Sequence, residues 1–283
     1  MGTISPGQVD VLMPGLRRLT APNAGMMTGP GTNSYLIGTS EVAVIDPGPA
    51  IDSHIDALVA AAPGPIRWIL CTHTHHDHSP AASLLAERTG AKLYGMPAPE
   101  HGMQDKTFKP HFILIDGDSV SGPDFELEAI HTPGHASNHL CYLWRETGIL
   151  FTGDHIMAGS TVVIGPPDGN MYQYLKSLEK LKSHPLEQLA PAHGELLPQP
   201  MAVIDWLIGH RLKREAKVLE RLGQVDEADL HTLVRSVYDD VQPVLHPVAE
   251  RSLLAHLEKL EQEGHVLRID ERWQVGRAGR GRA

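Results

Sequence analysis

The sequence THTHHDH at 72–78 contains the pattern H-x-H-x-D-H, and its ligand-type side chains are His73, His75, Asp77 and His78. Imidazole nitrogens and carboxylate oxygens are the ligands that zinc and similar divalent ions accept. Four such groups so close together are too many for one tetrahedral ion that is also bound from elsewhere in the chain. The spacing therefore predicts two divalent metal ions, with zinc as the expected metal and iron or manganese as alternatives.

Three further candidate ligands stand downstream, each near the end of a predicted strand. His135 lies on the tight turn HTPGH, Asp154 follows FTG, and His193 follows PA. Loops at strand ends are where folds commonly place functional side chains. A lone histidine in a loop is more often solvated than metal-bound, so their position near strand ends alone gives these three residues little weight.

The elements that must position these residues are strands and helices in irregular alternation. Two strands are predicted within 33–46, and others over 67–72, 92–94, 111–115, 125–131, 140–145, 148–152 and 189–191. Helices are predicted over 52–62, 80–89 and 170–183, and the segment 116–124 is rich in turn residues. This pattern favours two sheets with outer helices over a doubly wound parallel sheet.

The pattern changes after residue 200. Helices are predicted over 201–222, 227–239 and 247–263, followed by a hairpin from 265–269 and 272–275. We therefore expect a catalytic domain at 1–200, a small winged-helix-like domain at 201–275 and a disordered tail at 276–283.

Composition excludes several classes of protein. The net charge of −10 argues against purely electrostatic binding of nucleic acid. No stretch resembles a membrane span or a secretory signal, so we expect no membrane partner. The two cysteines, Cys71 and Cys141, form no disulfide framework and are interpreted as core residues. A cytoplasmic location is the resulting expectation.

Five short motifs occur in an order typical of one family: VIDPG at 44–48, THTHHDH at 72–78, TPGH at 132–135, FTGD at 151–154 and PAHG at 191–194. With them the chain resembles the metallo-β-lactamase superfamily. The resemblance implies an α+β fold, a four-layer αββα sandwich with the metals at one edge.

The resemblance also implies a role for each matching residue. His73, His75 and His135 would hold one ion, and Asp77, His78 and His193 the other. Asp154 would bridge the two ions, and Asp46 would support the site from behind without ligating a metal. A hydroxide held between the ions would be the nucleophile, and Asp77 is the expected group to orient it and accept its proton.

Further stretches, among them MTGPGTNSYLIG at 27–38 and VAERSLLAHLEKL at 248–260, resemble the branch named for β-lactamase-like protein 2. That branch includes endoribonucleases that cut single-stranded RNA, so phosphodiesters such as RNA are one predicted substrate class. An RNA substrate is favoured by a basic cluster on the predicted helix 201–222, which consists of Arg211, Lys213, Arg214 and Lys217. A solvated face with salt bridges to Glu215 and Glu220 explains that cluster slightly better.

Two alternatives stay open. The first is a thioester or ester hydrolase of glyoxalase II-like or lactonase-like type. The second is a non-enzyme, a winged-helix protein that binds nucleic acid and keeps a structural metal site. The winged helix can also serve as a lid or as the contact of a homodimer. Possible substrate-binding residues are Asn33, His139, Ser160 and Thr161, and His76 is expected to be exposed or behind the ligands.

Overall fold

The computed structural model describes residues 4–276, and its first sheet has seven strands that neighbour one another in chain order. They are β1 (Val9–Met13), β2 (Leu16–Thr20), β3 (Asn33–Ile37), β4 (Val42–Ile45), β5 (Ile66–Leu70), β6 (Lys92–Gly95) and β7 (Phe112–Ile113). Pairing is antiparallel from β1 to β4 and parallel from β4 to β7. Parallel neighbours need crossovers, and helices α1 (Asp52–Ala61) and α2 (Ala81–Thr89) provide the first two.

The second sheet has six strands in the order β13-β12-β11-β10-β9-β8. They are β8 (Ser119–Gly122), β9 (Phe125–His131), β10 (Leu140–Trp144), β11 (Ile149–Gly153), β12 (Gln188–Pro191) and β13 (Leu197–Pro198). β11 and β12 are parallel and are connected through helix α3 (Met171–Leu181). The Asn170 side chain caps α3 by accepting a hydrogen bond from the Gln173 backbone N–H at 2.9 Å.

The two sheets pack face to face around a shared hydrophobic core. Tyr35 of β3 and Phe151 of β11 meet across it with ring centroids 5.0 Å apart. A second core lies between the first sheet and α1 with α2, and a third lies between the second sheet and α3. Each sheet therefore buries both faces, which gives the four layers αββα.

The C-terminal part begins with the long helix α4 (Pro200–Leu222). The other elements are β14 (Ala228–Asp229), α5 (Leu230–Val237), a 3₁₀ turn (Pro243–Leu245), α6 (His246–Gln262), β15 (Val266–Ile269) and β16 (Arg272–Val275). They enclose their own core around Trp273. Ile204 and Leu207 of α4 and Ala255 of α6 belong instead to the third core, so these helices also pack on the sandwich.

The αββα arrangement predicted from the sequence is confirmed, with local corrections. The turn-rich segment 116–124 contains the edge strand β8, and the strand predicted over 111–115 is only two residues long. The helix predicted over 227–239 starts late because Ala228 pairs with Trp273 of β16. The Asp229 side chain then caps α5 by accepting from the Thr232 N–H. The tail predicted to be disordered lies, except for Gly276, outside the described residues.

None of the helices in the described part of the chain combines the length and apolar character that crossing a bilayer requires.

Candidate metal centre

The predicted ligands follow the carboxyl ends of strands from both sheets. Residues 73–78 follow β5, His135 follows β9, Asp154 follows β11 and His193 follows β12. β4 and β5 are parallel neighbours, as are β11 and β12, so the loops after them emerge at the same edge of each sheet. Packing of the two sheets brings these edges together and thereby gathers side chains that lie far apart in sequence.

One cluster consists of three imidazoles. Nδ1 of His75 lies 2.9 Å from Nε2 of His73 and 3.0 Å from Nε2 of His135. These distances are short enough for one small cation to be reached by all three nitrogens. The sequence positions of the first predicted ion are thus brought together, including His135, which is 60 residues from His75.

The neighbouring cluster consists of Asp77, His78 and His193. Oδ2 of Asp77 lies 3.2 Å from Nε2 of His193 and 3.4 Å from Nε2 of His78. Asp154 lies between the two clusters, with carboxylate oxygens 3.2 Å from His193, 3.6 Å from His78 and 3.6 Å from His135. The structure therefore gathers all seven predicted ligands and puts Asp154 in reach of both sets.

Buried atoms without hydrogen bonds test whether this arrangement fits metal ions. Nε2 of His78, Nε2 of His193 and Oδ1 of Asp154 are buried and accept or donate no hydrogen bond within the described structure. Leaving such groups unsatisfied is unfavourable, and ligation of a cation removes that penalty. The donor set of imidazoles and carboxylates also suits zinc, iron or manganese, so the residues present fit divalent metals.

Electrostatics at the cluster of Asp77, His78 and His193 favour positive charge. Burial alone would lower the pKa of His193, but the nearby carboxylates of Asp154 and Asp77 outweigh it and raise that pKa to about 10. Burial would raise the pKa of Asp154, yet His193 and His78 hold it well below its usual range. The carboxylates keep protons on His78 and His193, and a divalent cation can take the place of those protons.

Hydrogen bonds behind the clusters fix the imidazole rings. Nδ1 of His135 donates to the Val163 carbonyl at 2.8 Å, and Nδ1 of His193 donates to the Gly31 carbonyl at 3.1 Å. With Nδ1 engaged, Nε2 of each ring faces the ligand cluster. Such outer contacts orient metal ligands in proteins.

Asp46 and His139 also stand behind the clusters. Asp46 is almost fully buried and accepts from His78 and from Thr72, as its expected supporting position requires. His139 is fully buried, and its Nε2 accepts the backbone N–H of Asp154 at 3.2 Å. The structure therefore places His139 behind Asp154 and away from the space open to substrate.

The other predicted substrate residues divide into two pairs. Asn33 is fully buried and donates to the carbonyls of Pro191 and Gly194, so it braces the His193 loop. Ser160 and Thr161 line the cavity in front of the predicted metal ligands. His76 is exposed, as predicted, and lies on the same cavity wall.

That cavity has a volume of about 830 Å³. Its inner end is formed by metal-cluster residues, and its outer wall comes from α4, α6 and the segment between α5 and α6. The sequence left open a role of the winged helix as a lid, but it did not identify the residues of this wall, because they depend on how the C-terminal helices pack near the loop after Asp154. No local sequence pattern indicated that Tyr238 and Arg251 would lie on this wall.

An αββα sandwich with histidine and aspartate ligands gathered at its sheet edges defines a class of metal-binding hydrolases. Residues 27–193 match the family described as Metallo-beta-lactamase superfamily, and residues 230–273 match the Beta-lactamase associated winged helix domain. The chain belongs to the metallo-beta-lactamase superfamily and is a hydrolase with a C-terminal winged helix domain.

Similar proteins cover almost the whole chain. A beta-lactamase-like protein 2 homolog of Drosophila melanogaster is 31% identical over 90% of this chain and 93% of its own length. An atrochrysone carboxyl ACP thioesterase of Paecilomyces divaricatus is 28% identical over 91% of this chain and 83% of its own. The crystal structure of a beta-lactamase domain protein from Burkholderia ambifaria has a TM-score of 0.83 at 20% identity, covering 96% and 95% of the two chains.

Proposed function

We propose that the protein hydrolyses a thioester or ester with an apolar acyl part, using two divalent ions, in the first place zinc, held by the two clusters. The cavity in front of the clusters is the observation that carries this proposal. Its volume of about 830 Å³ is in the range of small-molecule sites. Much of its lining is apolar, with Met26, Met27, Met103, Met157, Leu245 and Val248 among the contributors.

The methionines at this cavity suit a flexible acyl chain. Met26, Met27 and Met103 are exposed by 71%, 48% and 70% of their surface. Apolar groups that stay exposed next to a site are candidates for ligand contact. Methionine is unbranched and polarisable, so it adapts to apolar ligands of different shape. These properties support an acyl group over a polyanionic strand.

The basic cluster on α4 gives little support to an RNA substrate. Arg214 forms two hydrogen bonds to Asp240, at 2.7 and 2.9 Å, and Lys217 is paired with Asp239. The acidic partners come from the segment after α5, and not from the predicted Glu215 and Glu220. Glu215 instead binds Lys259 at 3.0 Å. With Arg214 and Lys217 neutralised and Arg211 buried, the cluster offers few exposed free cations to a phosphate backbone.

The thioesterase of Paecilomyces divaricatus adds support, because its similarity extends over 91% of this chain. Membership of a hydrolase superfamily weighs against the alternative of a non-enzymatic, nucleic-acid-binding protein.

The metal ions, when bound, would lower the pKa of a coordinated water and polarise the substrate carbonyl. Asp77 faces the cavity, and its Oδ2 is 3.4 Å from the Thr32 hydroxyl and 3.2 Å from His193. We propose that Asp77 accepts a proton from the attacking water and then donates it to the sulfur or oxygen of the leaving group. Water adds to the acyl carbon, the C–S or C–O bond breaks, and the products are a carboxylic acid and a thiol or alcohol.

A substrate panel tests the proposal. Zinc-loaded protein is assayed on decanoyl-N-acetylcysteamine, a lactone, bis(p-nitrophenyl) phosphate and single-stranded RNA, with and without chelator. We expect chelator-sensitive cleavage of the thioester or lactone at a higher kcat/KM than for either phosphodiester. Asp77→Asn should reduce kcat at least 100-fold with an unchanged circular dichroism spectrum, whereas Asp226→Asn, on an exposed loop, should match the wild type. Faster cleavage of RNA than of the acyl substrates would overturn the assignment.

A further inference from the structure

The segment 162–165, in the loop after Asp154, is contacted by three side chains that also line the cavity. The Val162 carbonyl accepts a hydrogen bond from Nη2 of Arg211, and the Val163 carbonyl accepts one from the metal-cluster residue His135. Gly165 lies against Arg251, since a methyl group added at Gly165 would be 2.8 Å from its Nε. Two guanidinium groups, one from α4 and one from α6, therefore contact the loop whose Val163 carbonyl binds His135.

Arg211 is buried without a countercharge. Only 3% of its surface is exposed, and its Nε has no hydrogen-bond partner in the described structure. Its guanidinium carbon lies 5.3 Å from the ring centre of Tyr174, which offers a π face but no negative charge. A buried charge normally has an ionic partner, so an unpaired one on a cavity wall indicates that the partner is supplied by a ligand.

Arg251 lies on the same cavity and, like Arg211, lacks an ionic partner. Within residues 4–276 it forms no hydrogen bond and no ion pair, whereas Arg214, which lines the cavity too, is paired with Asp240. Outside the metal clusters, Asp168 is the acidic residue on the cavity wall. Its Oδ2 already accepts hydrogen bonds from Gln104 and from the Ser137 N–H. Arg251 is accessible and free to bind an incoming anion.

We propose that Arg211 and Arg251 form an anion subsite that binds a carboxylate or phosphate at one end of the substrate. The proposal rests on the acyl hydrolase function above and adds to it that the substrate carries an oxyanion away from the scissile bond. Guanidinium groups bind both anions through paired N–H donors. The winged helix domain thereby selects the substrate end group, since it provides Arg251 and packs against α4.

Binding of non-hydrolysable thioethers to zinc-loaded protein tests the subsite without turnover. Three ligands are compared by calorimetry: neutral S-decyl-N-acetylcysteamine, its analogue with a carboxylate at the end of the decyl chain, and S-decyl phosphopantetheine. We expect at least one charged ligand to bind tenfold or more tightly than the neutral one, and the preferred ligand shows on which side of the sulfur the anion lies.

Variants separate the subsite from direct anion binding to zinc. Arg251→Gln, an exposed position that should fold normally, is expected to reduce the charged-over-neutral preference to twofold or less. Arg67→Gln removes the same charge far from the cavity, where Arg67 pairs with Glu41, and should keep the preference. Equal binding of all three ligands, or a preference that survives Arg251→Gln, would overturn the subsite. If the protein did not hydrolyse thioesters but still preferred the charged ligands, the proposed reaction would be wrong and the anion subsite would be supported.

Discussion

Nδ1 of His78 donates a hydrogen bond to Oδ2 of Asp46 at 2.9 Å, and both side chains are buried. The same carboxylate accepts from the Thr72 N–H at 2.7 Å and from the Thr72 hydroxyl at 2.8 Å. That hydroxyl is 3.0 Å from Nδ1 of His73 and can only accept there, because its proton is given to Asp46. Asp46 thus orients one imidazole of each metal cluster, and in both rings Nε2 is left for a metal.

Asp46→Asn should lower zinc affinity by about 10–100-fold, the range typical of lost support behind metal ligands. An amide can accept from the Thr72 N–H, but its NH₂ group then faces two donors, the Thr72 hydroxyl and His78. Competition with a chromophoric chelator measures the affinity. Asp52→Asn, on the exposed start of α1, serves as the control. Equal affinities of the two variants would show that Asp46 does not set the ring orientation.

Much of the candidate metal centre could be predicted from local sequence. His73, His75, Asp77 and His78 lie within one loop, so their spacing alone indicated joint ligation. His135, Asp154 and His193 come from separate strand ends, and their assignment depended on family resemblance. The supporting role of His139 was missed because it acts on a backbone N–H that only the folded loop after β11 presents.

The cavity could not be predicted, because its cations depend on contacts between distant parts of the chain. Arg211 meets Val162 across 49 residues, and no local pattern marks that pair. In the sequence, Arg211 belongs to a basic helical cluster, which suggested a solvated face. The structure buries Arg211 and pairs Arg214 and Lys217 elsewhere, so one cluster divides into residues with different surroundings.

Gly134→Ala tests how the His135 loop is held. Gly134 has a φ of +146°, and an added Cβ would lie 2.4 Å from Cα and 2.7 Å from the backbone N of Tyr174. Since helix backbone cannot yield like a side chain, α3 or the loop must shift. We expect the free energy of unfolding to fall by about 2–3 kcal/mol and zinc affinity to fall with it.

Urea denaturation and the chelator assay measure these two effects. Gly209→Ala is the matched control, because an added methyl on this helical residue meets no atom within 4 Å. It should stabilise the protein by about 0.5–1 kcal/mol through helix propensity. If both substitutions changed the free energy of unfolding by the same amount, close packing of Gly134 against α3 would not contribute to stability as proposed.

Metal removal should destabilise the protein, because ions that bind only the folded state add their binding free energy to its stability. At free zinc 100-fold above Kd the gain is about 2.7 kcal/mol, which corresponds to a rise in Tm of roughly 5–10 °C. His135→Ala, which removes one imidazole of the first cluster, should reduce this rise. His101→Ala, an exposed position, should keep it. Thermal scans with zinc or chelator decide, and a Tm independent of zinc would contradict binding at the clusters.

His256 of α6 provides a pH-dependent prediction away from the metal centre. It is fully buried, neither ring nitrogen has a hydrogen bond in the described structure, and Glu215 is 3.8 Å from Nδ1. Burial lowers the pKa of His256 to about 4, although Glu215 partly opposes that shift. An unfolded histidine has a pKa of about 6.5. Between that pH and about 4, the unfolded chain therefore binds a proton at His256 that the folded chain does not bind.

Stability should therefore fall as the pH is lowered from 6.5 to 4, and His256 alone should account for about 3 kcal/mol of that loss. His256→Gln removes the titrating group, so its free energy of unfolding should decline less steeply over this interval, whatever its value at pH 7. His101→Gln, at an exposed position, should follow the wild-type slope. Urea unfolding at half-unit pH steps compares the three proteins. Identical slopes for wild type and His256→Gln would mean that the surroundings of His256 are solvated enough to protonate this ring in the folded state.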